Sequence, residues 1–520
     1  MNPSVIDRLG EWNPQLFREL KGRLKPRNVS LVAIVVLGFE FLTWLFFSAQ
    51  LPTPDTEYSR YCIGEGELCT IDWLKWWFDL EQSLYWAVGL TLVVGIAYVT
   101  ISDLAREERR GTLNFLRLSP QSSLSILSGK LLGVPILIYL GALLALPFHF
   151  HAASSAGMGI GAILSFYLLL AGVALLTFTV SAVFALMGGS QGWIGSGLSF
   201  GFMWILLHCD RDLINPGYAY IDDFYNLSIS ENLFLFRGFI LANCALWSFW
   251  GWQALRRRFH NPSATIFSKK QSYLLTVCFE LLLLGFSVQL LSPEWKYHYH
   301  LPEHFYLIGF LNMAWCLASI AALSPHRQTL QDWARYRYEN KGVRREKGQS
   351  NFKFRRSSFD ELIHGEKSPA PIAIVINLAI ASLIFLPWLM SWPEAVAEEK
   401  MIALWSSLFG IGFLVICAIV AQLLLLMKHQ KRAFWAMGTV GALLVLPVVV
   451  LGILDTANIS YPLGFLFSIL PFIGVEKASQ MTLFLGFLGH LSIIAGLTWK
   501  FRKQLRLAGE SNTKTLLTPR

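Results

Sequence analysis

Runs of about 20 apolar residues, the length a helix needs to cross a hydrocarbon core of roughly 30 Å, recur along the whole chain. They lie near 29 to 49, 82 to 103, 126 to 150, 159 to 187, 193 to 209 and 232 to 255. A second set lies near 271 to 292, 304 to 324, 370 to 391, 401 to 427, 433 to 453 and 480 to 500. With 54% hydrophobic and 15% charged residues, a soluble domain would have too little polar surface to show to water. The pattern therefore predicts an all-α polytopic membrane protein of about twelve transmembrane helices. The stretch from Met1 to Asn28 is polar, and the first apolar run is full membrane length, so that run is expected to remain as a span and not to be cleaved as a signal peptide.

Charge orients these spans. If the N-terminus is cytoplasmic, the inner segments collect 36 of the 43 Lys and Arg, leaving Arg60, Lys75, Arg211, Arg237, Lys296, Lys400 and Lys477 elsewhere. Such asymmetry over short loops predicts both termini on the cytoplasmic side of the cell (inner) membrane. It also accounts for the net charge of +9 without nucleic acid as a partner.

An even split gives two parallel six-helix halves at an offset of about 240 residues. Phe39-Glu40 recurs as Phe279-Glu280, Leu146-Pro147 as Leu386-Pro387, and Leu186-Met187 as Leu426-Met427. The expected organisation is a cytoplasmic amphipathic helix in 1–28, a six-span domain in 29–258, a second in 259–508 and a tail in 509–520. The second half holds a basic inner loop, 325–368, where the first half has a long outer loop, 50–81. That basic loop reads either as topological ballast or as a partly disordered segment near anionic headgroups.

The most informative segment follows the second span. Glu107-Glu108-Arg109-Arg110-Gly111-Thr112-Leu113 leads to Leu118-Ser119-Pro120 and then to Gly129-Lys130. Gly111-Thr112 permits a break, Leu113, Leu116 and Leu118 offer a short apolar face, and Pro120 stops a helix. A short helix of this kind is shaped for a groove on a partner.

This segment resembles the first inner loop of ABC-2-type permeases, the membrane-spanning subunits of ATP-binding-cassette (ABC) transporters. The resemblance implies a coupling helix, built on Glu107, Glu108, Arg109, Gly111, Thr112 and Leu113, that docks on an ABC ATPase subunit. It also implies that the preceding amphipathic helix, Arg8 to Arg27 with Trp12, Leu16, Phe17 and Leu20, lies along the membrane surface. The core of the motif is absent from the second half, where Ser324-Pro325 and Gly365-Glu366-Lys367-Ser368-Pro369 stand instead. Most members of that family have six spans and dimerise, so a twelve-span chain resembles two fused permeases that would take two ATPase copies. No G-x-x-x-x-G-K-[ST] occurs, so ATP and Mg are expected on the partner, with no cofactor and no catalytic residue in this chain.

Glu40 and Glu280 fall near mid-depth at matching places in the repeat. They are candidates for lining a transport pathway; the other reading is a neutral carboxyl hydrogen-bonded to a neighbouring helix. Cys62 and Cys69 share the polar outer loop and read as a disulfide or as two free thiols, while the other five cysteines read as small packing residues. His149 and His151 flank a span end, with too few ligands for a metal. His208-Cys209-Asp210 are adjacent residues that diverge on a helix. Trp73, Trp76 and Trp77 suggest an interfacial helix in 72–79.

The expected function is thus an export permease for a lipid, glycan or hydrophobic substrate, with a twelve-span secondary transporter as the alternative. An intramembrane protease would want Glu-Glu-x-x-x-Arg, but the required position after Glu107-Glu108 is Thr112.

Overall fold

A computed structural model describes residues 10–52, 60–63, 70–212, 223–225, 227–229, 232–287, 303–346, 360–391, 397–456 and 462–509. The protein is all-α and polytopic: eleven of the described helices are long and apolar enough to cross a membrane. The twelfth expected span, 271 to 292, begins as a helix over Lys269–Ser287, whose described residues carry Lys269, Lys270 and Glu280 and are less apolar than the other eleven.

The chain divides into two compact units, Met1–Asp223 with Leu227–Pro262, and Phe224–Asn226 with Ser263–Arg520. In the first, α1 (Pro14–Arg23) precedes α2 (Pro26–Ser48), α3 (Trp73–Arg110), α4 (Thr112–Leu118), α5 (Ser123–Gly133), α6 (Ile136–Ser155), α7 (Ile160–Leu186), α8 (Gly192–Asp212) and α9 (Leu233–His260). Helix α3 is the axis, packing on α6, α7 and α8, while α7 packs on α9. Tyr85, Val93, Ile96, Leu169, Val173 and Phe178 fill the core between them.

Helix α3 departs from expectation. Its 38 residues make a rod of about 57 Å, well over the roughly 30 Å of a hydrocarbon core. The expected interfacial helix of 72–79 is instead its first two turns, started by the Asp72 carboxylate, which accepts from Lys75 N at 3.0 Å. Trp76 is buried there and donates Nε1–H to the Phe47 carbonyl at 2.9 Å, so that indole packs inward. The run expected as one span over 126 to 150 is two helices, α5 and α6. Pro135 has no N–H to continue the first helix and stands at the N-cap of the second.

In helix α1 the buried residues are Gln15, Leu16 and Glu19, two of them polar, and the helix packs on α5. Pro14 at N1 and the Asn13 side chain, which accepts from Leu16 N at 3.0 Å, start the helix. Gly129 and Gly133 let it approach: a Cβ at 129 would come within 2.7 Å of Leu16 N, and one at 133 within 2.5 Å of Glu19 Cβ. Gly129→Val is therefore expected to lift α1 off α5, seen as tryptic cleavage after Arg18 or Lys21 in the folded protein at a rate well above wild type. Unchanged cleavage would show that α1 is held elsewhere.

In the second unit α10 (Lys269–Ser287), α11 (Glu303–Leu323), α12 (Arg327–Glu346), α13 (Pro371–Met390), α14 (Ala397–Leu425) and α15 (Arg432–Thr456) come first. Two short helices, α16 (Pro462–Leu466) and α17 (Pro471–Lys477), lead to α18 (Gln480–Gly509). Cys316, Ile320, Ala373, Ile374, Phe413 and Cys417 form its core, and α14 packs on α13, α15, α17 and α18. The first part of the basic loop expected in 325–368 is the helix α12. It buries Leu330 and packs on α18; the loop's residues 347–359 lie outside the described residues.

Candidate functional site

Helix α3 ends at Gly111, whose φ of 72° lies in the left-handed region that L side chains rarely adopt. The chain reverses there, and α4 starts at once with Thr112, whose hydroxyl donates to the Glu107 carbonyl at 3.2 Å. On α4, Leu113 and Leu116 point into the core of the first unit. Leu118 does not share their face: it is 86% exposed, and Phe115 is 75% exposed. Arg117 ties the helix down by donating Nε–H to the Phe259 carbonyl at the end of α9, 2.8 Å away, and Nη1–H to Asn114 Oδ1 at 2.7 Å. The result is a short, braced helix that presents two large apolar side chains among the exposed Glu108, Arg109 and Arg110.

Beneath it lies an ion cluster. Lys130, 1% exposed, places Nζ 2.8 Å from Glu107, 3.2 Å from Asp103 and 3.4 Å from Glu19. Arg23 pairs with Asp103 at 2.6 Å and Glu19 at 3.2 Å, and Arg18 with Glu107 at 3.0 Å. Three carboxylates face three cations, so the cluster is neutral as a whole. The carboxylate oxygens lie within 4.8 Å of one another, a spacing that would suit a metal ion, but the Lys130 ammonium stands among them. Burial pushes that ammonium toward neutrality, and Asp103, Glu107 and Glu19 overcome it, holding its pKa above the ordinary lysine value. Through this cluster α1, the end of α3 and α5 are fastened together.

Of the residues expected to dock a partner, Glu108, Arg109, Gly111 and Thr112 are exposed, whereas Glu107 turns inward to Lys130 and Leu113 is core. Sequence reasoning quoted Lys130 without giving it a role and missed Glu19, Asp103 and Arg23. Each of these three stands among other polar and charged residues at helical spacing, so nothing in the local sequence set them apart.

A second cluster stands at the far end of the same unit. Asp210, wholly buried, accepts from Arg237 Nε and Nη2, each at 2.8 Å, and from the Tyr85 hydroxyl at 2.6 Å. Arg211 pairs with Glu81 at 2.8 Å, and His149 Nδ1 lies 2.6 Å from the Tyr167 hydroxyl. Side chains from α3, α6, α7, α8 and α9 thus converge, including the His149 and Asp210 that sequence reasoning set aside.

The remaining candidates are placed as follows. Glu40 is one of two buried residues on α2, and its Oε1 has no hydrogen-bond partner. Glu280 on α10 is wholly buried, with no partner for either oxygen. Cys62 is disulfide-bonded and begins a two-residue ladder in which it pairs with Ile71; Cys69 lies outside the described residues. The other five cysteines, Cys209, Cys244, Cys278, Cys316 and Cys417, form no disulfide.

No family model, no curated protein and no solved structure matches this chain.

Proposed function

We propose that this chain is the membrane-spanning permease of an ATP-binding-cassette exporter, with α4 as the helix that docks on a separate ATPase subunit. The observation that carries the reading is the pairing of exposed Phe115 and Leu118 with a backing that cannot yield. A partner pressing on an unsupported loop would only bend it, whereas α4 is fixed by Leu113, Leu116, Arg117 and the Lys130 cluster. Closure of ATPase subunits on ATP would then push α4, and with it α3, in the manner of a rigid-body switch. The basic segments, and both termini with them, face the cytoplasm of the inner membrane by the same reading. ATP and Mg belong to the partner, present in two copies if the second half docks one through its own inner segment. The cargo is a lipid, glycan or other hydrophobic molecule.

The test is co-purification of the intact chain in mild detergent, comparing wild type with Phe115→Asp/Leu118→Asp. Both side chains are exposed, so the fold should survive and an ATPase bearing a phosphate-binding loop should co-elute with wild type alone. A wild-type chain that brings down no ATPase would favour a twelve-span secondary transporter, a reading to which the buried Glu280 lends support.

A further inference from the structure

Helix α10 buries a file of polar side chains along one face: Lys269, Ser272, Thr276 and Glu280, at intervals of three, four and four residues. The first three are engaged. Lys269 Nζ donates to the Leu362 carbonyl, to Ser368 Oγ and to the Pro369 carbonyl; Ser272 Oγ accepts from Asn377 Nδ2 at 3.2 Å; Thr276 Oγ1 accepts from Trp315 Nε1 at 3.0 Å. These bonds hold α10 to α11 and α13, and polar contact between membrane helices explains them without further function.

Glu280 does not fit that explanation. It is 0% exposed and neither oxygen has a hydrogen-bond partner; the amide of Asn312, its polar neighbour on α11, donates to the Ile308 carbonyl at 3.3 Å, and being neutral it could not offset a carboxylate charge even where its second N–H turned to Glu280. Helix α13 has no ionisable side chain. Helix α11 has Tyr306 and Cys316 among its described side chains, and Phe224 and Tyr225, against the far end of α10, bring Tyr225, whose hydroxyl donates to the Leu281 carbonyl. None of these is a cation. A bare carboxylate here would be an uncompensated charge in hydrocarbon, at a cost of several kcal/mol, so the group must hold a cation or a proton. Eleven residues of helix set Glu280 about 16 Å from Lys269, roughly half of a bilayer core of about 30 Å.

We propose that Glu280 is a proton-binding site at mid-membrane, loaded from the face that bears Lys269 along the file of Ser272 and Thr276. The Ser272 O–H donates to the Lys269 carbonyl at 2.8 Å and must turn to pass a proton on; a hydroxyl can both donate and accept, and a bridging water between successive turns would complete the file. A proton enters from water at the Lys269 end, passes by exchange of O–H bonds, and neutralises the carboxylate; no other bond changes. A metal cation would want several oxygen ligands at Glu280, whereas a proton needs only the carboxylate. That this face is the cytoplasmic one rests on the topology proposed above; the path itself does not.

The experiment uses wild-type chain in proteoliposomes and dicyclohexylcarbodiimide, a membrane-permeant reagent that adds to protonated carboxyls, with the adduct located by mass spectrometry. The face of Lys270 in each preparation is identified by its reaction with an impermeant amine reagent. The expected result is an adduct on Glu280 whose yield follows the pH at the Lys270 face and not that at the opposite face. Thr276→Val should lose the dependence on pH at that face, and Glu280→Gln should lose the adduct. An absent adduct, a yield indifferent to pH at the Lys270 face, or protection by sodium at constant pH would each overturn the proposal. Finding Lys270 on the outer face of cells would instead overturn the topology and leave the proton site standing.

Discussion

Lys130→Met should unfasten α1 from the end of α3 and from α5. The substitution keeps the length and apolar stem of the side chain but removes the cation from among Glu107, Asp103 and Glu19, whose oxygens lie within 4.8 Å of one another. Breaking a buried pair from one side costs about 3–5 kcal/mol when the partner is left unpaired; here Arg18 and Arg23 still face the three carboxylates, so one negative charge is left in excess and the loss should fall toward the lower end of that range. We expect a fall in unfolding temperature in detergent and release of α1 to protease. A companion Glu107→Gln change, which removes one of the three negative charges, should recover part of the loss; no recovery would mean that lysine packing, not charge, holds the cluster. The pH dependence follows from the raised Lys130 pKa. The contribution is complete below the unfolded lysine value of about 10.4 and fades as pH rises through the higher folded value, so stability at neutral pH should be flat with respect to this group.

The second large effect is expected at the opposite end. Asp210→Ala leaves Arg237 Nε and Nη2 and the Tyr85 hydroxyl without their acceptor, with only Arg237 Nη1 still held by the Ala162 carbonyl and Ser165 Oγ, in a site where Asp210 and Arg237 are both buried. A loss of about 3–5 kcal/mol is expected here too, read from thermal or denaturant unfolding. Asp210→Asn keeps the acceptor oxygen and one set of hydrogen bonds, and should cost less. If Ala and Asn were equally tolerated, the pairing would carry no weight in the folded unit.

Much of this architecture could be read from the sequence because the bilayer imposes one strong rule: apolar length. That rule located the spans, while their ends were less legible. The run from 126 to 150 looks continuous by hydropathy, and only the missing N–H of Pro135 divides it. Trp73 to Asp79 looks interfacial by composition, yet the helix simply continues, because nothing between Asp79 and Ser83 interrupts it. The break before α4 was legible from Gly111 and Thr112, because it is local chemistry. Its inward partners were not, since Glu19, Asp103 and Lys130 are separated by 84 and 27 positions and meet only through packing. For the same reason the Asp210–Arg237 pair was invisible: each residue alone reads as an ordinary span-end charge.

The two ion clusters have helix α3 in common. Glu81 and Tyr85 join it to one and Asp103 and Glu107 to the other, some 26 residues, or about 39 Å, apart. A continuous helix of that length behaves as a lever whose ends cannot move independently. A tilt of about 5° about its middle sweeps each end of a rod of about 57 Å through about 2.5 Å in opposite directions, more than a hydrogen bond can stretch. Any push large enough to tip the rod at α4 must therefore be registered among Glu81, Asp210 and their arginines, and a lock at that end would be felt at α4 as stiffness.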